Sequence, residues 1–72
     1  SIITINYDLT ESAHITALIC SASGILYRRT ERSDTAGEGY TLLIDCSGLR
    51  SGQYVLYINV NGKIYNEKIN IK

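Results

Sequence analysis

Apolar and polar residues alternate over short stretches, and Gly, Ser, Asn or Asp interrupts them at intervals of about 8 to 12 residues, the pattern of an all-β chain. In Ile3–Tyr7, the residues Ile3, Ile5 and Tyr7 alternate with Thr4 and Asn6, which predicts the first strand. Asp8 to Ser12 reads as a turn. Ala13–Cys20 is more continuously apolar, with Ile15, Ala17 and Ile19 on one face and Leu18 and Cys20 on the other. Such a run suits a strand covered on both sides. Ser21 to Gly24 predicts a tight hairpin into a third strand, Ile25–Thr30, which ends in charge. Glu31 to Gly39 reads as an exposed loop and Tyr40–Asp45 as the fourth strand. The connection from Cys46 to Gly52 tucks Leu49 beneath it. Gln53–Val60 is the fifth strand, with Tyr54, Leu56, Ile58 and Val60 sharing a face. Asn61-Gly62 is the strongest hairpin signal, because a type I′ turn needs positive φ at both central positions. Lys63–Ile71 returns as the sixth strand and is expected to bury Tyr65, Ile69 and Ile71.

No window sustains a helix. The best, Ala13–Ser21, is too short and too β-branched. Six antiparallel strands in 72 residues make either a small barrel or a small sandwich. Unequal strand lengths and the long Cys46–Gly52 connection suit a strand crossing between sheets. The expected fold is therefore all-β: a small immunoglobulin-like (Ig-like) antiparallel β-sandwich of six to seven strands, as one domain over residues 1–72. Composition agrees, since Ile, Val, Thr and Tyr supply 25 of the 72 residues. A chain this short argues against a self-contained enzyme. Seven basic residues balance seven acidic ones without a run of either sign, which argues against a nucleic-acid partner. No apolar stretch approaches the roughly 20 residues of a transmembrane helix. Ser1 leads straight into a strand with no Met and no signal peptide, so the chain is expected to be a piece of a longer protein.

Candidate chemistry is sparse. His14 is the only histidine, and a base needs a nucleophile and an orienting partner beside it. No Gly-x-Ser-x-Gly elbow supplies that context, so His14 reads as a surface residue. Cys20 and Cys46 lack the spacing and His partners of a zinc site. Each ends a strand, at one pole of an up-and-down arrangement. A disulfide there would add roughly 3 to 4 kcal/mol in the chain-entropy model; two buried free thiols are the other reading. Arg28, Arg29 and Arg32 stand near Glu31 and Asp34 and read as solvated surface. No calcium loop or phosphate cradle is present. The six tyrosines read mainly as core or cross-strand packing. No catalytic, cofactor-binding or metal-ligating residue is expected.

Motif order adds more. Ile5-Asn6-Tyr7-Asp8-Leu9 leads into a Glu-containing turn, followed by an apolar strand, Ser23-Gly24 and Leu26-Tyr27. Ala36-Gly37-Glu38 precedes a strand ending at Asp45, then Ser47-Gly48-Leu49 and Ser51-Gly52-Gln53-Tyr54. Glu67-Lys68-Ile69-Asn70-Ile71-Lys72 closes the chain. This order resembles the C-terminal sorting domain of proteins exported by the type IX (Por) secretion system, over nearly all of the 72 residues. Small secreted Ig-like modules are similar in pattern. Cys20, Cys46 and the Gly24-Ile25 pair depart from the sorting-domain pattern.

The resemblance implies a sandwich of about seven strands at the C-terminus of a larger secreted protein. It implies a non-catalytic address, read by the outer-membrane translocon and then removed by a sortase-like peptidase that often attaches the upstream cargo to lipopolysaccharide. The domain would pass through the periplasm and reach the outer-membrane surface or the medium. Carried over by position, the recognition residues are Gly52, Gln53, Tyr54, Lys68, Ile69, Ile71 and Lys72. The alternative is an Ig-like accessory module that binds protein or glycan or spaces a neighbouring domain. On physical grounds alone, Gly52 suits a tight start to a strand, and Tyr54 can pack under the connection with its hydroxyl reaching backbone. The polar face of the last strand, Asn66, Lys68 and Asn70, either guards an edge or receives an added strand.

Overall fold

The alternation folds as six strands and no helix: β1 (Ile2–Leu9), β2 (Ala13–Ser21), β3 (Leu26–Asp34), β4 (Gly37–Asp45), β5 (Gly52–Val60) and β6 (Lys63–Ile71). A computed structural model describes the whole chain, Ser1 to Lys72. The strands form two antiparallel sheets, one in the order β3-β2-β5-β6 and a smaller one of β1 and β4. Only the β2–β3 and β5–β6 hairpins stay within a sheet; the other three connections pass between the layers. The neighbours match those of strands C′-C-F-G and B-E in an immunoglobulin-type sandwich. The fold is thus an all-β sandwich of six strands.

Period-two side-chain direction explains where the core sits. Ala13, Ile15, Ala17 and Ile19 from β2 face Leu42, Ile44 and Cys46 from β4 and its end, with Tyr54 and Leu56 from β5 and Ile71 from β6. Ile19 is wholly buried. The smaller sheet contributes Ile3, Ile5, Tyr7 and Leu9 as a half-buried row on β1. The β5–β6 turn has φ of 50° at Asn61 and 92° at Gly62, as a type I′ turn requires. The Asn61 side chain also ties this turn to the β1–β2 connection, accepting from His14 N at 2.9 Å and donating to Ser12 O at 3.1 Å.

Three expectations are corrected. The stretch expected as an exposed loop, Glu31 to Gly39, is mostly strand: β3 runs to Asp34 and β4 begins at Gly37, leaving Thr35 and Ala36 to connect them. Arg32 and Asp34 hold β3 in place there by bonding across to the smaller sheet. Tyr65 is not buried but half exposed, at 50%. It lies on the inward row of β6, opposite Ile58, yet a two-stranded layer does not reach over it. Ile69 is half buried and Ile71 is core. Arg29 is exposed as expected, but Arg28 and Arg32 are only half-exposed, because both lie on the inward row and bond to the opposite layer.

Candidate functional site

The hairpin register brings the two halves of the expected recognition stretch onto neighbouring rungs. Gly52 lies opposite Ile71, Gln53 opposite Asn70, Tyr54 opposite Ile69 and Val55 opposite Lys68. Side-chain direction then divides them. Tyr54, Ile69 and Ile71 point inward and pack in or against the core. The Tyr54 hydroxyl donates to Arg50 O at 2.7 Å, bracing the β4–β5 connection from below. Its ring meets Tyr27 edge to face, with centroids 5.6 Å apart and planes at 83°. Gly52 has φ of 152°, a conformation that an L side chain adopts with strain. Tyr54, Ile69 and Ile71 thus shape the pole from within, and Gly52 lies exposed at its rim. Gln53, Lys68, Asn70 and Lys72 are exposed, and neither lysine joins an ion pair. The accessible part of the stretch is therefore a polar strip with two ammonium groups, beside the free edge of β6.

A second cluster escaped the sequence reading. On the inward row of β3, Arg32 grips Asp34 from two nitrogens, Nε at 2.8 Å and Nη2 at 2.9 Å. Tyr7 from β1 donates its hydroxyl to the same carboxylate at 2.6 Å. Its ring stacks on Tyr40 of β4, centroids 5.4 Å apart, and the Arg32 guanidinium lies 5.8 Å from the Tyr40 centroid. Burial, then the bond to Asp34, pushes the Tyr7 hydroxyl up to about 12. The Arg32 guanidinium, then the Tyr7 hydroxyl, hold the Asp34 carboxyl below the usual range. Two strands, one from each sheet, meet at this carboxylate, and the Tyr40 ring of β4 flanks both Tyr7 and Arg32. The cluster is an electrostatic lock between layers; the sequence signal was the polar spacing Arg28, Thr30, Arg32, Asp34, which keeps one strand face.

His14 lies on the outer face of the large sheet, with Nδ1 2.9 Å from Ser33 Oγ and Nε2 3.8 Å from Glu31. Glu31 also pairs with Arg29. The imidazole is 55% exposed, so water competes for both of its nitrogens. Cys20 and Cys46 are both buried free thiols. They do share a pole, but Cys46 is core whereas Cys20 pairs with Val55 on the outward side, so the sheet stands between them. Burial pushes the Cys46 thiol up. The six tyrosines are dispersed: Tyr7 stacks on Tyr40, Tyr27 meets Tyr54 edge to face at the pole, Tyr65 faces inward and Tyr57 outward. No three His, Cys, Asp or Glu side chains converge, and no helix is long and apolar enough to cross a membrane. No protein-family model, curated protein or solved structure matches the chain.

Proposed function

We propose that this domain is a non-catalytic sorting and anchoring address, carried by a larger cargo protein and read by type IX secretion machinery. A sortase-like peptidase at the cell surface would then act on the cargo. One observation carries the reading: the Gly52–Tyr54 stretch and the Lys68–Lys72 tail, which the family resemblance singles out separately, lie on adjoining rungs at one pole. The inward residues fix the shape there, and the exposed Lys68, Asn70 and Lys72 offer charge and hydrogen bonds beside an unpaired strand edge. On this reading the domain occupies the periplasm in transit and the outer surface afterwards.

The test is a fusion of residues 1–72 to a periplasmic reporter in a bacterium with type IX secretion. Removing Glu67–Lys72 abolishes surface delivery, but it also removes the core residue Ile71. The double variant Lys68→Glu/Lys72→Glu leaves the core intact and separates recognition from folding. Surface delivery of the parent fusion and periplasmic retention of the folded double variant support the address. Retention of the folded parent fusion itself overturns it and leaves the accessory module, for which the outward Leu18, Tyr57 and Ile64 surround a shallow depression.

A further inference from the structure

The two open sides of the sandwich differ. On the β3–β4 side, Arg28 donates from Nε to Asp45 O at 3.1 Å and from Nη2 to Ser47 O at 2.7 Å, and Arg32 Nη1 donates to Thr41 O at 3.0 Å. Side-chain donors thus occupy the outer edge of β4, where another strand would otherwise pair. On the β1–β6 side no hydrogen bond joins β1 to β5 or β6, and the Asn61–Ser12 bond lies beyond the end of β1. A cleft of about 410 Å³ runs there, walled by Ile5, Tyr7 and Leu9 of β1 and floored by Ile58, Val60 and Tyr65 of the β5–β6 hairpin. Strand count is the cause: two strands face four. In a complete immunoglobulin sandwich a third strand lies beside the equivalent of β1.

We propose that this cleft accepts an extended segment of another polypeptide, which adds along the free edge of β1 as the third strand of the smaller sheet. Every second residue of β1 turns its N–H and C=O away from β4, and these groups are the template. Alternate side chains of the incoming strand then fall on Ile58, Val60 and Tyr65, so the segment is apolar at every second position.

Charge specifies it further. Glu67 shares the inward row of β6 opposite Leu56, is exposed, and has no basic partner. An inward carboxylate disfavours an uncharged or acidic strand and pairs with Lys or Arg, so the occupant carries a basic residue at one inward position. A second copy is disfavoured, since four strands face two and a two-fold pairing of β1 with β1 would bring the unmatched β6 strands of the two copies together. A lone strand without a sheet behind it fits. The inference stands apart from the sorting reading, which concerns the outward face and the end of β6.

The experiment titrates the isotope-labelled 72-residue domain with the acetylated peptide Ser-Ile-Thr-Lys-Thr-Val-Ser-Ile-Thr and its register-shifted relatives, read by amide hydrogen exchange. The expected result is at least tenfold slower exchange at alternate amides of β1. N-methylation of the peptide backbone abolishes it. Glu67→Lys weakens binding at least tenfold, and replacing the peptide's Lys by Glu restores it. Three results overturn the proposal: protection confined to the β6 edge, equal binding of the N-methylated peptide, or no slowing of β1 amides at millimolar peptide across the set.

Discussion

At Asp34 one carboxylate serves two partners on two layers, Arg32 of its own strand and Tyr7 of the opposite sheet, with its side chain 11% exposed. Losing either partner leaves the other side of the bond unmet. Tyr7→Phe keeps the ring stack on Tyr40 but deletes the bond, at a cost of about 1.5 to 3 kcal/mol for a hydrogen bond to a charged group. Urea denaturation at neutral pH measures it. The Tyr7 hydroxyl also sets an alkaline limit. Its pKa is about 12 when folded and about 10 when free, so in that window the folded state binds more protons and stability falls as pH rises. Tyr7→Phe should flatten that limb of the pH–stability curve. The acid limb has the opposite sign. Asp34, beside Arg32, and Asp45, which accepts from Ser47 Oγ at 2.6 Å and Ser47 N at 2.9 Å, titrate below the ordinary range. The unfolded chain therefore binds protons first, and stability falls with pH below about 4. Thermal melts in a pH series check both limbs.

Among the elements, the β5–β6 hairpin was the most legible. A two-residue loop at Asn61-Gly62 forces position 52 opposite 71 and 54 opposite 69, so the meeting of the two recognition stretches follows from turn chemistry alone. The turn gives a direct test. Gly62→Val has room for its Cβ but not the backbone conformation, and should cost about 1 to 2 kcal/mol in chemical denaturation without altering the native spectrum. The second strand was legible for another reason, its unbroken apolar inward row. β3 was half missed because its inward row, Arg28 to Asp34, is polar. Hydropathy marks a strand only where side chains close the core, and here the carbonyls of β4 do so. Tyr65 was misplaced for the converse reason. Alternation tells which face a residue takes, not whether a second layer reaches it.

At the scale of the whole molecule, two of the four strand pairs, β1–β4 and β2–β5, join strands distant in sequence, and three of the five connections cross between layers. Topology of this kind folds in milliseconds to seconds, after slow loop closure. The chain contains no proline and its thiols are free, so neither prolyl isomerisation nor disulfide exchange adds a later phase. Stopped-flow refolding should show one exponential with the full amplitude, unchanged by the delay in a double-jump experiment. A second phase of tens of seconds would contradict this account. The strand directions also fix where the chain leaves the domain. Ser1, whose carbonyl accepts from Cys46 N at 2.8 Å, and Lys72, one residue beyond the Ile71–Gly52 rung, emerge at the same pole of a body 35 Å long. Tension applied through these two residues therefore loads the terminal rungs first and opens the sheets like a zipper, one hydrogen bond at a time. Loaded through its two ends, the domain would give way rung by rung rather than by sliding whole strands past one another.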